Sequence, residues 1–257
     1  MDLLWVTLAL LAVIALERTR LRRVPAAFLR PHFAADLAFY ATGAVALGLG
    51  MRAAAERAAL ALGVPPLPAW PALATFALTL VLYDLGAWLA HRAVHRVPFL
   101  WRAHAVHHAS PHLDWLAAFR MHPIEYAIRH ALSPVALLLL GFPAAQIGLA
   151  TILAGGFAAL VHANLDVRWH ALEWLVITPR VHHLHHAPAT SDRNFGAIFS
   201  VWDRLAGRLL CASAPRNAVL GVPGELAAHP HTYWAQLAAP FERDARRVRA
   251  ASSPQAS

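Results

Sequence analysis

The chain has 257 residues, of which 58% are hydrophobic and only 14% are charged, and its mean hydropathy of +0.46 is typical of a membrane protein rather than a soluble domain. All 22 basic residues are arginines, which excludes lysine-based covalent catalysis, and the single cysteine, Cys211, excludes an internal disulfide, an iron–sulfur cluster and a cysteine-rich zinc site. The net charge of +8 does not predict nucleic-acid binding, because the arginines are scattered among apolar runs instead of forming one basic face.

Apolar runs in the first 90 residues predict three membrane helices. Residues 3–16 form a short first run, and arginines are concentrated in the segment 18–30 that follows it. Residues 33–51 and 72–90 are each close to the roughly 20 residues that cross a bilayer. The positive-inside rule places the arginine-rich segment in the cytoplasm and the N-terminus outside. Two further spans then return the chain to the cytoplasm at His91, which predicts an integral, multi-pass membrane protein.

A second apolar region, residues 132–164, is interrupted by Gly141, Phe142 and Pro143. At about 1.5 Å per residue it is too short for two full spans, so we expect a shallow helical hairpin with both ends on one side of the membrane. We expect two parts in the chain: a membrane and catalytic domain at residues 1–215, and a C-terminal extension at residues 216–257 whose end is disordered.

Histidines occur with helical i, i+3 and i+4 spacing in three segments, so the members of each segment share a helix face. The segments are His91 and His95, then His104, His107 and His108, then His182, His185 and His186. Because the intervening hairpin returns the chain to the same side, we expect all three segments to meet at the cytoplasmic face.

Metal binding explains these segments better than a merely polar cluster does. Eight imidazoles held together without a ligand would lose hydration without compensation, and neutral imidazole is the commonest metal ligand in proteins. A zinc site closes with about four ligands, so eight nitrogens imply two metal ions. A nitrogen-rich set suits iron, copper or zinc. Arg92 stands where a zinc protease of the HExxH type needs its glutamate, which disfavours proteolysis.

Other motifs accompany the histidines in a definite order. They are Asp84 and Trp88 before His91-Arg92-x-x-His95, then His104-x-x-His107-His108, Arg120-x-His122-Pro123-x-Glu125, Thr178-Pro179-x-x-His182-x-x-His185-His186, Asp192-x-Asn194-Phe195-Gly196 and Trp202-Asp203-Arg204. With these motifs in this order, the chain from about residue 80 to about residue 210 resembles the fatty acid hydroxylase / sterol desaturase superfamily.

The resemblance implies a membrane-bound, non-haem di-iron oxygenase that uses O2 to hydroxylate or desaturate a lipid or sterol-like substrate. The implied fold class is all-α, an integral membrane helical bundle with a cytoplasmic helical cap that carries a histidine-rich dinuclear metal site. The implied cofactor is two iron ions, for which zinc can substitute in a purified protein. By position, the implied metal ligands are His91, His95, His104, His107, His108, His162, His182, His185 and His186, together with His122, whose other interpretation is a helix N-cap ahead of Pro123.

Some positions depart from the family pattern. Asn164 and Asp166 stand where some members carry another histidine, so either one of them fills a ligand position or the site has fewer ligands. His183 lies one residue out of the ligand register, which predicts either a supporting contact behind a ligand or a surface position.

Asp84 lies inside a predicted span, where an unpaired carboxylate would cost several kcal/mol. We expect it to accept a hydrogen bond from a ligand histidine or from an arginine at the site, a role that fixes imidazole tautomers. The alternative is pairing with a remote arginine such as Arg129.

The substrate is expected in an apolar slot walled by Phe119, Phe157 and Leu160, with the small residues of 154–159 letting helices pack closely. The sequence contains no dinucleotide-binding or P-loop motif, so a separate electron donor is expected: a ferredoxin, a cytochrome or a reductase. Two other classes stay open. A metal-binding or transport protein would line a path across the bilayer with its ligands, and a bis-histidine haem protein would place paired histidines on facing spans.

Overall fold

The computed structural model describes residues 2–19, 21, 23–25, 27, 29–110, 112–167, 169–211, 220–221 and 232–241. The secondary structure of these residues is helical, apart from an isolated antiparallel bridge between Val176 and Phe199. The all-α prediction is therefore confirmed.

Six longer helices come first in the chain. They are α1 (Asp2–Leu16), α2 (Phe33–Ala61, with a π-helical stretch at Tyr40–Leu47), α3 (Ala72–Arg96), α4 (Pro98–His108), α5 (residues 123–139, with a π-helical stretch at Ala127–Ala131) and α6 (Ala144–His162). The shorter α7 (Pro179–His185), α8 (Val201–Leu205) and α9 (Tyr233–Ala238) follow, with 3₁₀ turns at Ala117–Phe119, Pro188–Thr190 and Ala239–Phe241. By length and composition α2, α3 and α6 can cross a membrane, whereas α1 is apolar but shorter.

The helical hairpin differs from its prediction. Its first arm, α5, begins at residue 123 rather than at 132, because Pro123 occupies the first helical position, where its missing N–H costs nothing. Its turn lies at the predicted interruption, and Gly141 takes the positive φ of 84° that the turn requires. Its second arm, α6, is long and apolar enough to cross a membrane by itself, and the shallow placement of the hairpin stays a prediction.

Helices α2, α3, α5 and α6 share one apolar core. Helix α3 packs against α4, α5 and α6, and the core around it includes Tyr83, Leu138 and Ala150. The expectation that small residues in α6 serve close packing is wrong for Gly155 and Gly156, because a β-carbon at either position would meet no described atom within 4 Å.

The segment after α1 lies at the same end of the bundle as the C-terminus of α6. The Glu17 carboxylate accepts hydrogen bonds from the backbone N–H groups of Trp115 at 2.9 Å and Asn164 at 2.8 Å, and the Arg23 N–H donates to the Asn164 carbonyl at 3.0 Å. The arginine-rich segment and the histidine-bearing helix ends therefore share one end of the molecule, as the span count requires.

Described parts of the C-terminal extension pack against the rest of the chain. Leu220 joins an apolar cluster with Leu113, and the Tyr233 ring meets the Phe39 ring edge-on at 4.8 Å. The other residues predicted for the extension, including the end for which disorder is predicted, lie outside the described residues, and the division at residue 215 stays a prediction.

Candidate metal centre

Nine buried or nearly buried histidines form two adjacent clusters. The first cluster contains His91, His95, His104, His108 and His185, and the second cluster contains His107, His162, His182 and His186. Within each cluster the potential ligand nitrogens lie within 4.8 Å of one another. The clusters touch, because the His108 and His186 rings stack at 4.5 Å between centroids. The three segments that were expected to meet do so.

Helix geometry explains how each HxxHH segment serves both clusters. Residues four apart on a helix differ by about 40° in direction, whereas the residue at i+3 points about 60° to the other side. Accordingly His104 and His108 face the first cluster and His107 faces the second. In the other segment His182 and His186 face the second cluster and His185 faces the first. The five histidines of residues 91–108 therefore divide between the two clusters, and His107 is the one that faces the second.

Hydrogen bonds to the Nδ1 atoms orient the rings of the first cluster. Nδ1 of His91 lies 2.9 Å from the Phe195 carbonyl oxygen, Nδ1 of His185 lies 2.7 Å from the Arg193 carbonyl oxygen, and Nδ1 of His104 lies 2.7 Å from Oε1 of Glu125. Carbonyl oxygens only accept hydrogen bonds, and so does an ionised carboxylate, so Nδ1 must carry the proton in these rings. The Nε2 lone pair is thereby left for a metal.

Hydrogen bonds from Nδ1 to backbone carbonyls also orient two rings of the second cluster. Nδ1 of His107 donates to the Arg120 carbonyl at 3.2 Å and Nδ1 of His162 donates to the Ala158 carbonyl at 2.8 Å. Both rings therefore present unprotonated Nε2 atoms, which lie only 3.1 Å apart. Two lone pairs at this distance repel each other, and a shared cation would turn that repulsion into attraction.

The remaining nitrogen spacings agree with a shared ion in each cluster. In the second cluster Nε2 of His182 lies 3.0 Å from that of His162, and Nε2 of His186 lies 3.2 Å from that of His182. In the first cluster Nε2 of His104 lies 2.9 Å from that of His95 and 3.1 Å from that of His108. Two imidazoles bound to one ion at about 2.0–2.1 Å place their nitrogens about 2.8–3.4 Å apart. The residues present therefore fit two metal ions.

The electrostatic environment keeps these imidazoles neutral. Burial is the largest cause that lowers the pKa of His107, His108, His182, His185 and His186 well below the ordinary value of 6.5, and neighbouring imidazoles add to the effect. Burial also lowers the pKa of His104, although Glu125 opposes the shift. Neutral imidazole is the metal-binding form, so the clusters are in that form at neutral pH.

A buried ion-pair network supports the Arg120 carbonyl. The Arg120 guanidinium pairs with Asp36 of α2, and Asp36 also pairs with Arg30 at 2.7 Å. Arg30 reaches Asp114, whose Oδ1 accepts hydrogen bonds from Leu116 and Ala117 N–H groups at the turn before Arg120. The N-terminal segment therefore helps to hold the backbone group that orients His107.

The loop between α7 and α8 holds the two carbonyls that orient His185 and His91. Asn194 lies between them with a positive φ of 59°, and its side-chain amide donates to the carbonyls of Val181 and Leu210, both at 3.0 Å. Its Oδ1 accepts from the Leu210 N–H at 2.7 Å. The Asp203 carboxylate accepts from the Gly196 N–H at 2.7 Å and from the Trp88 indole at 3.0 Å.

Asp84 supports the same loop, and its hydrogen-bond donors differ from the predicted ones. Its carboxylate accepts hydrogen bonds from the backbone N–H groups of Ile198 at 2.8 Å and Phe199 at 3.1 Å and from the Trp202 indole at 2.8 Å, rather than from a histidine or an arginine. Through these bonds it supports the loop that carries the Phe195 carbonyl, which orients His91. The Arg129 guanidinium pairs instead with Glu125, at 3.0 Å.

The interpretation of His122 as a ligand is not supported. Its Nδ1 accepts a hydrogen bond from the Ile124 N–H at 3.2 Å, and its Nε2 lies 3.1 Å from the Leu237 carbonyl oxygen. It is the N-cap of α5 and lies outside both clusters.

The other ambiguous positions also lie outside the clusters. The Asn164 side chain pairs with the backbone of Val24, accepting from its N–H at 3.1 Å and donating to its carbonyl at 2.7 Å. Asp166 is not a member of either cluster, so the second cluster has four histidines and no substitute ligand at these two positions. His183 is buried, and it hydrogen-bonds the backbone of His162 and Ala163. This agrees with a supporting contact and not with a surface position.

The predicted substrate slot has no counterpart in the cavity that the helices enclose. A largely apolar cavity of about 400 Å³ lies between α2, α5 and α6, lined by residues that include Ala55, Leu138 and Ile152. Phe119, Phe157 and Leu160 lie outside it. Ile152 precedes His162 by ten residues, or about 15 Å of helix, whereas Tyr126, also in the lining, directly follows Glu125, which hydrogen-bonds His104.

Sequence reasoning missed the groups that orient the ligands, which are the Glu125 carboxylate and the backbone carbonyls of Arg120, Ala158, Arg193 and Phe195. It also missed the role of Asn194 in holding the loop that carries two of these carbonyls. Arg120, Glu125, Asn194 and Phe195 belong to the motifs that carry the family resemblance. The available signal was that polar residues accompany the histidine segments in the sequence, but their hydrogen-bond partners could not be identified without the fold.

Comparison with known proteins identifies a family whose model matches the part of the chain that carries the histidine clusters. The family model described as fatty acid hydroxylase matches residues 76–208. An ornithine lipid hydroxylase of Rhizobium tropici is 34% identical over 183 residues, which is 69% of this chain and 54% of that protein. Alkylglycerol monooxygenases of Caenorhabditis elegans and Danio rerio are each 28% identical and align with 53% and 54% of this chain, but with only 27% and 31% of their own lengths. The chain thus spans about half or less of these relatives. No solved structure gives a significant match.

Proposed function

Because the chain belongs to the fatty acid hydroxylase family, we propose that it is a membrane-bound lipid hydroxylase whose two histidine clusters hold two iron ions. The observation that carries the proposal is the pair of adjacent, buried clusters whose imidazole nitrogens have the spacing of ligands around a shared ion. The names of the relatives, a lipid hydroxylase and a monooxygenase, support hydroxylation rather than desaturation.

The proposed ligands are the nine histidines of the two clusters, without His122. Iron held there would supply the oxidising power for an unactivated C–H bond, which no amino-acid side chain has. In the overall reaction, one atom of O2 enters the C–H bond and the other leaves as water. Two electrons and two protons come from a separate donor, proposed to be a ferredoxin, a cytochrome or a reductase.

The chain's own groups orient the ligands and exclude water. The carbonyls of Arg193, Phe195, Arg120 and Ala158 hold their partner imidazoles in one tautomer. The carboxylate of Glu125 does the same for His104 and places a negative charge beside the first cluster, where it offsets the charge of a bound cation. The clusters are almost inaccessible to solvent, which protects a reactive centre from side reactions.

We propose that the protein is multi-pass and that the metal centre faces the cytoplasm. The segment after α1 lies at the histidine end of the bundle, and this end carries Arg18, Arg92, Arg96 and Arg102. By the positive-inside rule an arginine-rich end stays in the cytoplasm. A transport protein would need ligands along a path across the bilayer, whereas both clusters lie together at one end of α3 and α6. A bis-histidine haem would need its ligands on opposite faces of a porphyrin, and the imidazole nitrogens here are in contact.

The proposed substrate is a polar membrane lipid with a long apolar chain, such as the classes named for the relatives. The test is to express the chain in a host without the gene, under isotope-labelled O2, and to compare lipid extracts by mass spectrometry. We expect a lipid that has gained one labelled oxygen, and about two irons per chain in the purified protein. The matched control is His186→Ala, which should abolish the product. Stoichiometric zinc in the cell-derived protein with unchanged lipids would contradict the proposal.

A further inference from the structure

The segment between α6 and α7 exposes an unusually apolar face. Its exposed residues include Trp169, Leu172, Trp174 and Leu175, and Leu205 lies exposed at the end of α8. Trp174, Leu175 and Leu205 are 57%, 58% and 76% exposed. We call these five residues the apolar face. Single exposed apolar residues are common on proteins, but a contiguous group of large ones marks a surface that something apolar covers.

The depth of this face follows from its contacts with α3. Every 18-residue stretch of α3 that could cross the membrane contains Asp84, so Asp84 lies within the span. Its carboxylate binds the N–H groups of Ile198 and Phe199 and the indole of Trp202. Ile198 also belongs to the apolar core formed by the spanning helices. The loop before α8 therefore reaches into the membrane-spanning part of the bundle.

The segment that carries the apolar face pairs with this loop. Val176 forms the antiparallel bridge with Phe199, the Ser200 N–H donates to the Leu175 carbonyl at 3.0 Å, and the Ile177 N–H donates to the Ile198 carbonyl at 2.8 Å. Leu175 and Trp174 therefore lie at about the depth of Asp84.

In this segment the acidic residue faces inward and large apolar residues face outward, which is the reverse of a loop in water. Its acidic residue, Glu173, is 1% exposed and pairs inward with the Arg180 guanidinium, with Nε at 2.8 Å. The neighbouring Trp174 and Leu175 point outward. Charged groups turned to the protein interior and large apolar groups turned outward are what a lipid environment selects.

We propose that the apolar face is inserted into the bilayer, as a lipid-embedded anchor of the metal-bearing part of the chain. The Arg204 guanidinium lies 4.9 Å from the centre of the Trp174 ring and is exposed, so it can reach a lipid phosphate from the edge of the face. The side chain of His170 is also exposed, which places the Trp169 end of the segment near the headgroups. The proposal depends on the chain being a membrane protein and not on the reaction of the metal centre.

Spin labelling tests this proposal. The full chain with Cys211→Ala, loaded with metal and placed in phosphatidylcholine nanodiscs, would carry a nitroxide at Leu175→Cys or at Leu205→Cys. The matched control is Asp192→Cys, which lies in the loop after α7 and is similarly exposed at its side chain. Metal content equal to that of the parent protein shows that each variant is folded, and the two labelled positions on the face make the test independent of either variant alone.

The measurement is the ratio of nitroxide collision rates with O2, which concentrates in lipid, and with a water-soluble nickel chelate. We expect the ratio to exceed one at positions 175 and 205 and to fall below one at position 192. A ratio below one at both face positions would show that water covers the face and would overturn the proposal. Low collision rates with both reagents would show that protein, from a second copy of the chain, covers the face, and would overturn it equally.

Discussion

Replacing Glu125 by glutamine tests whether the two clusters bind metal as separate units. Glu125 is completely buried, and its Oε1 accepts hydrogen bonds from Nδ1 of His104 at 2.7 Å and from the Arg129 guanidinium at 3.0 Å. Glutamine has the same shape and keeps one acceptor oxygen, but it removes the negative charge that faces His104. A metal ion bound to His104 makes that N–H a stronger donor, so the bond to the carboxylate strengthens when metal binds.

The magnitude follows from the one charged hydrogen bond that is weakened. A hydrogen bond to a charged acceptor contributes about 1.5–3 kcal/mol, and a neutral one about 0.5–1.5 kcal/mol, so the substitution should cost about 1–2 kcal/mol of metal-binding free energy. Because about 1.4 kcal/mol corresponds to a factor of ten, metal affinity of the first cluster should fall roughly 5- to 30-fold. The Nδ1 partners known for the second cluster are the Arg120 and Ala158 carbonyls, so its affinity should not change.

Chelator competition on the purified protein measures the two affinities as separate steps. The matched control is Glu56→Gln, which makes the same chemical change at an exposed ion pair with Arg52. It should leave both steps unchanged. The reasoning is refuted if Glu125→Gln alters neither step, or if it weakens both steps equally while the control does not.

Three further predictions concern other parts of the structure. Asn194→Ala should lower metal occupancy of the first cluster and spare the second, and Asn194→Gly should do so less because glycine tolerates the positive φ; elemental analysis after limited chelation decides this. His122→Ala should cost about 1 kcal/mol of stability as a lost N-cap yet keep the full metal content, whereas His186→Ala should lose one metal, and equal metal loss in both would contradict the assignment of His122. Burial raises the pKa of Glu17 from the ordinary 4.5 to about 7, with Asp114 adding to the shift, so Glu17 by itself lowers stability as pH rises from about 4.5 to about 7 and opposes the gain from the buried histidines whose pKa is lowered. Glu17→Gln keeps the acceptor oxygen for the two N–H donors and removes this opposing contribution, so thermal stability should rise more steeply with pH in the variant than in the parent protein, and equal slopes would contradict the assignment.

Local patterns in the sequence were enough to predict the helical class and the histidines that come together. Composition and apolar runs identified α2 and α3, because burying a helix in lipid requires about 20 apolar residues regardless of the rest of the fold. The i, i+3, i+4 spacing identified the histidine segments, because neighbours on a helix face are determined by 3.6 residues per turn. These are properties of short stretches of chain, and they identified eight of the nine histidines in the clusters, whereas His162 was implied only by the family resemblance.

Contacts between distant parts of the chain determine which cluster each histidine joins and which polar groups orient the ligands. Helix α4 alone shows that His107 points away from His104 and His108. Which cluster each of them joins depends on the histidines that other helices bring to the two sides of α4. Asp84 was expected beside a histidine, but the chain brings the amides of Ile198 and Phe199 to it from more than 100 residues away. Glu125, Arg193 and Asn194 orient ligands through bonds that close only when α3, α4, α5 and the loop after α7 are packed together. A hydrogen-bond partner is chosen by proximity in three dimensions, so only the tertiary structure decided which polar groups support the metal centre.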